Sequence, residues 1–323
     1  MSPRLSLAVE NGLLPADASS IVVFGARQND DLSALPKEAV QIVQGMKPDH
    51  DAWKEHGYAV SPDIPGEADI AIVLLPRAKA LARDWIARAM AISREAVILD
   101  GQKEDGIDSL LRELRAWGAV EDVLAKAHGK IARLSPGIAL PNWRDPGPRR
   151  VAGSFYTSAG VFSADKIDRG SAMLASALPS LAGRVVDLGA GWGYLSHHIL
   201  LQPGVTALDL VEADHAALAC ARRNISDVRA TFHWADAHRW TPEDAADAVV
   251  SNPPFHSGRK ADLDLGRGFV RDAARMLSPR GAFHMVANRH LPYEAVLVEQ
   301  FNEVAEIAGD PSFKVFTARR PRR

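Results

Sequence analysis

The run Val185-Val186-Asp187-Leu188-Gly189-Ala190-Gly191-Trp192-Gly193 constrains the fold of this chain more than any other. An apolar strand that ends in Asp and passes at once into three evenly spaced glycines must turn sharply into a helix. Glycine tolerates the positive φ of such a turn and leaves room for a ligand beside the backbone. The N–H groups at the helix start then face that ligand. The dinucleotide-binding pattern differs, because it puts two residues before its last glycine.

The rest of the chain has the rhythm this motif needs. Residues 21–24, 39–43, 70–75 and 96–99 read as buried strands, with helices over 78–92 and 107–117. In the second half 184–188, 207–212, 248–251 and 282–287 read as strands, and 216–224 and 268–277 as helices. Strands alternating with helices predict an α/β fold, with a parallel sheet covered on both faces. Residues 136–148 carry four prolines and two glycines, which mark a linker. The expected domains are 1–140 and 151–323, joined by 141–150.

The halves look like a diverged duplication. Ala68–Pro76 lines up with Ala246–Pro254, and Val22–Arg27 with Val186–Gly191. Leu74 then stands where the second half has Asn252, Val23 where it has Asp187, and Arg27 where it has Gly191. The first domain is expected to keep the fold without the chemistry.

Further acids follow the glycine turn. Glu212 ends the next strand, where an acid can accept hydrogen bonds from both hydroxyls of a ribose. Asp214 is the alternative, but reads better as the N-cap of the following helix. Asp236, after Phe232-His233-Trp234-Ala235, is placed to accept from an adenine amino group; otherwise it is a loop aspartate. Asp187 can help to hold the methionine end of S-adenosylmethionine, the nucleotide cofactor that this arrangement suits.

The strand at 248–251 runs into Asn252-Pro253-Pro254-Phe255. Two prolines fix φ twice and remove two donors, which makes a stiff turn displaying acceptors. An exocyclic amine on a base is a poor nucleophile because its lone pair is delocalised. With Asn252 Oδ1 and the Pro253 carbonyl accepting its N–H bonds, it can aim that lone pair at a sulfonium methyl. Phe255 can stack on the base. Taken alone, the tetrapeptide is a turn closing a strand.

Asn252-Pro253-Pro254-Phe255-His256-Ser257-Gly258 resembles the signature of bacterial 16S ribosomal RNA guanine-N2 methyltransferases. Gly160-Val161-Phe162-Ser163 with Asp168 is similar to a segment before their cofactor loop. The resemblance implies two Rossmann-like class I methyltransferase domains, the N-terminal one degenerate. It implies S-adenosylmethionine as cofactor and N2-methylation of a guanosine in 16S rRNA, or in the small subunit. Phe162 and Asp168 would line the cofactor or base pocket, unless they are ordinary packing and a helix cap. The charged run Arg259-Lys260-Ala261-Asp262 departs from the family pattern.

Net charge is −2, so RNA binding must rest on a local patch. Lys and Arg number 19 against 21 acids over residues 1–150, and 19 against 19 over 151–323. Arg149-Arg150 and Arg259-Lys260 are the candidates, and Arg319, Arg320, Arg322 and Arg323 read equally as a frayed tail. The single Cys220 excludes an internal disulfide and a cysteine-rich zinc site. No apolar run is long enough to span a bilayer, and the first residues are not expected to act as a secretory signal. A cytoplasmic monomer without a metal is expected. Methylation of a protein glutamine amide or of adenine N6 is the nearest rival, and a cofactor-binding RNA chaperone with little turnover the next. A nicotinamide dehydrogenase would leave the Asn-Pro-Pro-Phe turn unexplained.

Overall fold

A computed structural model describes residues 3–15, 18–254, 256–257, 260–261 and 263–322. The chain divides into two compact units, Met1–Gly147 and Pro148–Arg323, with the break inside the proline-rich stretch.

The first unit runs α1 (Pro3–Glu10), β1 (Ile21–Phe24), β2 (Val40–Val43), α2 (Lys47–Glu55), β3 (Ala59–Ser61), β4 (Ala68–Leu74), α3 (Lys79–Ile92), β5 (Ser93–Gln102), α4 (Ile107–Ala116), β6 (Val120–Lys126) and β7 (Gly129–Leu134). Its sheet has the order β3-β2-β1-β4-β5-β7-β6. The first five strands are parallel. The last two form an antiparallel hairpin on the edge, so the sheet is mixed, not wholly parallel as expected. Successive residues of the central strands feed opposite cores, as a period of two requires. Val22, Phe24, Ala71 and Val73 pack on one face, and Ile21, Val23, Ile70 and Ile72 on the other.

The second unit opens with the hairpin β8 (Arg149–Val151) and β9 (Phe155–Thr157). It continues α5 (Arg169–Ala177), β10 (Gly183–Leu188), α6 (Tyr194–Leu200), β11 (Val205–Glu212), α7 (His215–Asn224), β12 (Ala230–Trp234), β13 (Ala246–Ser251), β14 (His256–Ser257) and β15 (Lys260–Ala261). It ends with α8 (Leu263–Met276), β16 (Leu277–Asn288), α9 (Glu294–Gln300), β17 (Phe301–Gly309) and β18 (Phe313–Pro321). The strand order, β12-β11-β10-β13-β16-β18-β17, reproduces that of the first unit, edge hairpin included. The basic tail is no frayed end. Arg319 and Arg320 lie in β18, Arg320 pairs with Glu303 at 3.0 Å, and Arg322 N–H donates to Gln300 O at 2.7 Å. Arg323 lies outside the described residues.

The duplication holds in register. Val22 sits opposite Ala71 as Val186 sits opposite Val249, and Val23 opposite Ile72 as Asp187 opposite Val250. Both units carry an irregularity at the same place, between Ala68 and Ile70 and between Ala246 and Ala248. Gly25 and Gly189 share a left-handed backbone, at φ +74° and +76°. Each donates its N–H to the end of the neighbouring strand, to Val43 O and Val211 O.

In the first unit the space around that turn is filled. Gln44 stands where β11 has Glu212, with its amide donating to Ala26 O at 2.7 Å and accepting from Met46 N–H at 2.8 Å. Trp53 Nε1–H also donates to Ala26 O. The Trp85 ring occupies the space into which a Cβ on Gly25 would fall. Gly25→Ala should therefore lower stability by about 1–3 kcal/mol, from overpacking and a left-handed alanine. Limited proteolysis with cleavage sites mapped by mass spectrometry should show accelerated cutting within residues 1–147.

Candidate active site

The order of the second sheet reverses between β10 and β13, since β11 and β12 extend one way and β16 the other. In open α/β sheets, ligands bind outside the carboxyl ends of the strands at such a switch point. The glycine turn leaves β10 there, and Asn252 leaves β13 beside it. Ser251, fully buried, fastens the two ends by donating its hydroxyl to Leu188 O at 2.6 Å.

Gly189, Gly191 and Gly193 all have positive φ, between +56° and +89°. A Cβ on Gly193 would meet Ile225 at 2.9 Å, so this glycine permits close packing of α6 and α7. Beside Gly191 there is open space within 4 Å, so its lack of a side chain leaves a cradle rather than a contact.

Asp187 has no solvent exposure. Its Oδ2 accepts from Ser196 Oγ–H at 2.5 Å, while Oδ1 has no hydrogen-bond partner among the described residues. Burial pushes its pKa up to about 7, opposed by the Ser196 hydrogen bond. Glu212 lies at the carboxyl end of β11, where Oε2 accepts from Gly191 N–H and Oε1 from Asp214 N–H, both at 2.7 Å. Its pKa is also pushed up to about 7, by burial first, against the Asp214 backbone hydrogen bond. Asp214 caps α7, accepting from Ala216 N–H, so its capping role is the one the structure displays. Asp236 Oδ1 accepts from His238 N–H at 2.9 Å and shapes the turn after β12.

Asn252 is fixed by groups far away in sequence. Its Nδ2 donates to Asp168 Oδ2 at 3.0 Å and to Ser171 Oγ at 2.9 Å. Asp168 is the N-cap of α5 and accepts from Ser171 N–H with the same Oδ2, at 2.8 Å. An ionised carboxylate can only accept, so the NH₂ end of Asn252 must face it and Oδ1 must face away. Asp168 is thus a helix cap that also sets an amide. Ser171 was not singled out from sequence, and neither were Ser196 and Ser251. An Asp followed three residues later by Ser marks a helix start, but nothing local announces an asparagine 84 residues away as the third partner.

Phe162 is 55 % exposed, and its carbonyl accepts from Trp192 Nε1–H at 2.9 Å, next to the glycine turn. Pro253 is buried and Pro254 exposed. Phe255 and Arg259 lie outside the described residues, as does the Lys260 side chain. Arg149 is paired with Asp165 at 2.8 Å, whereas Arg150 stacks on Tyr156. Among the described residues no cluster could hold a metal ion, and no helix is long and apolar enough to cross a membrane.

Comparison with known proteins agrees with this fold. The family model described as the methyltransferase small domain matches residues 152–317. The ribosomal RNA small subunit methyltransferase C of Shewanella pealeana is 30% identical over 264 residues, covering 77% of this chain and 76% of that protein. The chain belongs to this methyltransferase family. A second family member, from Shewanella sp. strain MR-7, is 28% identical over 317 residues, covering 90% of this chain and 92% of its own. The fold is shared with the T. thermophilus 16S rRNA guanosine-N2 methyltransferase, solved with AdoMet and guanosine. That match has a TM-score of 0.82 at 24% identity and covers 98% of this chain and 92% of the other.

The two raised carboxylates fix a sign for the pH dependence of stability. Both bind a proton more readily folded than unfolded. Their contribution is therefore fully present below the unfolded pKa, near 4, and is lost as pH rises through about 7. Between pH 5.5 and 8.5 the urea midpoint should fall more for wild type than for Asp187→Asn, whose side chain cannot ionise. Equal pH dependence in the two proteins would contradict the burial argument.

Proposed function

We propose that this chain transfers a methyl group from S-adenosylmethionine to the exocyclic N2 of a guanosine in 16S rRNA. The observation that carries the reading is the fixed amide of Asn252, whose acceptor oxygen is kept for a substrate at the switch point of a methyltransferase sheet.

The residues present fit the cofactor. The cradle beside Gly191 has open space, and Asp187 offers a buried oxygen without a donor among the described residues. Asp187 would support the cationic methionine end, Glu212 the ribose hydroxyls and Asp236 the adenine amino group. When bound, the cofactor supplies an electrophilic methyl on a sulfonium. The chain's own task is to aim the amine. Asn252 Oδ1 and the Pro253 carbonyl accept the two N–H bonds of N2 and turn its lone pair toward the methyl. Transfer would form an N–C bond to that methyl while the C–S electrons stayed on the departing sulfur. The cationic nitrogen then loses a proton to water, so no side-chain base is required. Positioning and electrostatics supply the acceleration. Phe255 would stack on the base, and Phe162, exposed beside the glycine turn, would cover the base or the cofactor. A guanine in folded RNA must first be exposed or flipped out.

Asp168 and Ser171 act through Asn252 and are positioning residues. Asp168→Asn keeps a good N-cap but offers an amide in place of an obligate acceptor, and should lower kcat by about 10–100-fold. Cofactor affinity should stay within about twofold, because uniform binding is untouched.

The direct test is tritiated methyl transfer into 16S rRNA and assembled small subunits, followed by nucleoside analysis. Wild type should place label in N2-methylguanosine, and Asn252→Ala should abolish it. Label in a protein band instead would move the chain to glutamine methylation. Binding of cofactor without transfer would favour the chaperone reading. Titration should give one cofactor per chain, since Trp85 and Gln44 fill the first unit's turn.

A further inference from the structure

Eight arginines of the second unit are paired with acids. Arg149, Arg169, Arg184, Arg229, Arg267, Arg275, Arg289 and Arg320 each have a carboxylate within 4.0 Å. Arg150, Arg222 and Arg223 are exposed and do not pair with any acid among the described residues; Arg150 and Arg223 meet over one ring, and Arg222 adjoins Arg223 in α7. The guanidinium of Arg223 lies 3.8 Å from the centre of the Tyr156 ring, and that of Arg150 lies 5.3 Å from the same centre. Arg150 Nε–H also donates to the Tyr156 hydroxyl at 3.2 Å. Arg222, the next residue of α7, stacks 4.8 Å from the Phe232 ring and donates to Phe232 O.

Like charges gathered without counter-charge repel one another and cost stability. The favourable field at a helix carboxyl end offsets only a small part of this for cations in the last turn, and Arg150 is not on that helix. Exposed guanidinium groups carried over aromatic rings still have N–H groups to offer, and a guanidinium fork matches a phosphate. Tyr156 registers the same field: the hydrogen bond from Arg150, then that from Arg223, hold its phenol below the usual tyrosine value.

The patch is also tied to the site. The Asn224 side chain accepts from Tyr156 N–H at 2.7 Å and donates to Tyr156 O at 2.9 Å. The same amide nitrogen donates to Trp192 O, inside the glycine turn, at 2.7 Å. One side chain therefore fixes the arginine-bearing hairpin and helix to the turn that holds the cofactor.

We infer that Arg150, Arg222 and Arg223, mounted on Tyr156 and Phe232, form the surface of the second unit that grips the phosphate backbone of the RNA substrate. This rests on RNA being the substrate, as proposed above. It gives a chain with no net positive charge the local patch that RNA binding needs. Phosphate contacts set the register of a nucleic acid, and base contacts choose the nucleotide. The patch would hold the strand while the Asn252 turn selects the guanine.

The test measures binding apart from catalysis. Transcribed 16S rRNA is titrated with full-length protein by filter binding, in S-adenosylhomocysteine, from 50 to 300 mM KCl. Wild type is compared with Arg150→Gln, Arg222→Gln, Arg223→Gln and the triple variant. Arg289→Gln, which breaks an exposed ion pair elsewhere, is the control. The triple variant should lose about 10–100-fold in affinity near 100 mM salt, with a log–log salt slope shallower by about two to three. The KM for RNA should rise while kcat at saturating RNA and cofactor affinity hold. The unfolding midpoint should stay within about 2 °C of wild type, since exposed substitutions change stability little. A merely structural role predicts the reverse: a lowered midpoint with unchanged salt slope.

Affinity and slope equal to wild type in the triple variant would overturn the assignment even if wild type methylates RNA. Failure of wild type itself to bind or label RNA would instead remove the substrate reading, and this inference with it.

Discussion

The pairing of β10 with β13 is the constraint on which the site depends. Three opposed pairs, Val185–Ala248, Val186–Val249 and Asp187–Val250, set where each strand stops. A slip of one residue would turn every side chain to the other face and bring the wrong atoms to the edge. In this register Ser251 meets Leu188 O, the glycine turn and Asn252 leave the sheet side by side, and Asp187 is sealed beneath them. The apolar neighbours that hold the register also desolvate Asp187. Packing and electrostatics at this point therefore have one cause.

Much of this was legible in the sequence, for reasons that differ by residue. The strands at 184–188 and 248–251 are short apolar runs bounded by punctuation, which is the strongest local signal a buried strand gives. The glycine turn and the Asn-Pro-Pro turn announce themselves because their chemistry is local. The edge hairpins do not. In β6–β7 the turn is made by Ala127 and His128 at positive φ, without the Asn-Gly or Asp-Gly that marks such turns. In β17 most residues are exposed, so the alternation blurs. The tail arginines looked solvated because a sequence does not show that an antiparallel partner, β17, lies alongside them. The supports of Asn252 and Asp187 were hidden for a related reason: a serine or aspartate that acts through space carries no mark of its distant partner.

The two units show how little must change to silence such a site. The same strand order, register and left-handed glycine survive in the first unit. Its turn is nonetheless closed by Trp85, and its acid is replaced by Gln44, which bonds to the loop much as Glu212 does. Glutamine is uncharged and can donate as well as accept, so it bonds one loop carbonyl and one loop N–H without the desolvation cost that raises the pKa of Glu212. The frame survives this change because the sheet and the turn draw on different residues.

A further consequence lies in the Asn224 amide. By joining Tyr156, on the hairpin, to Trp192, in the glycine turn, it makes the two ends of the site a single mechanical body. Any tightening of the turn around a cofactor must be felt at the hairpin, and any pull on the hairpin must reach the turn. Such an arrangement is a lever: whichever partner arrives first stiffens the seat that the other must find, and so spares it part of the ordering cost.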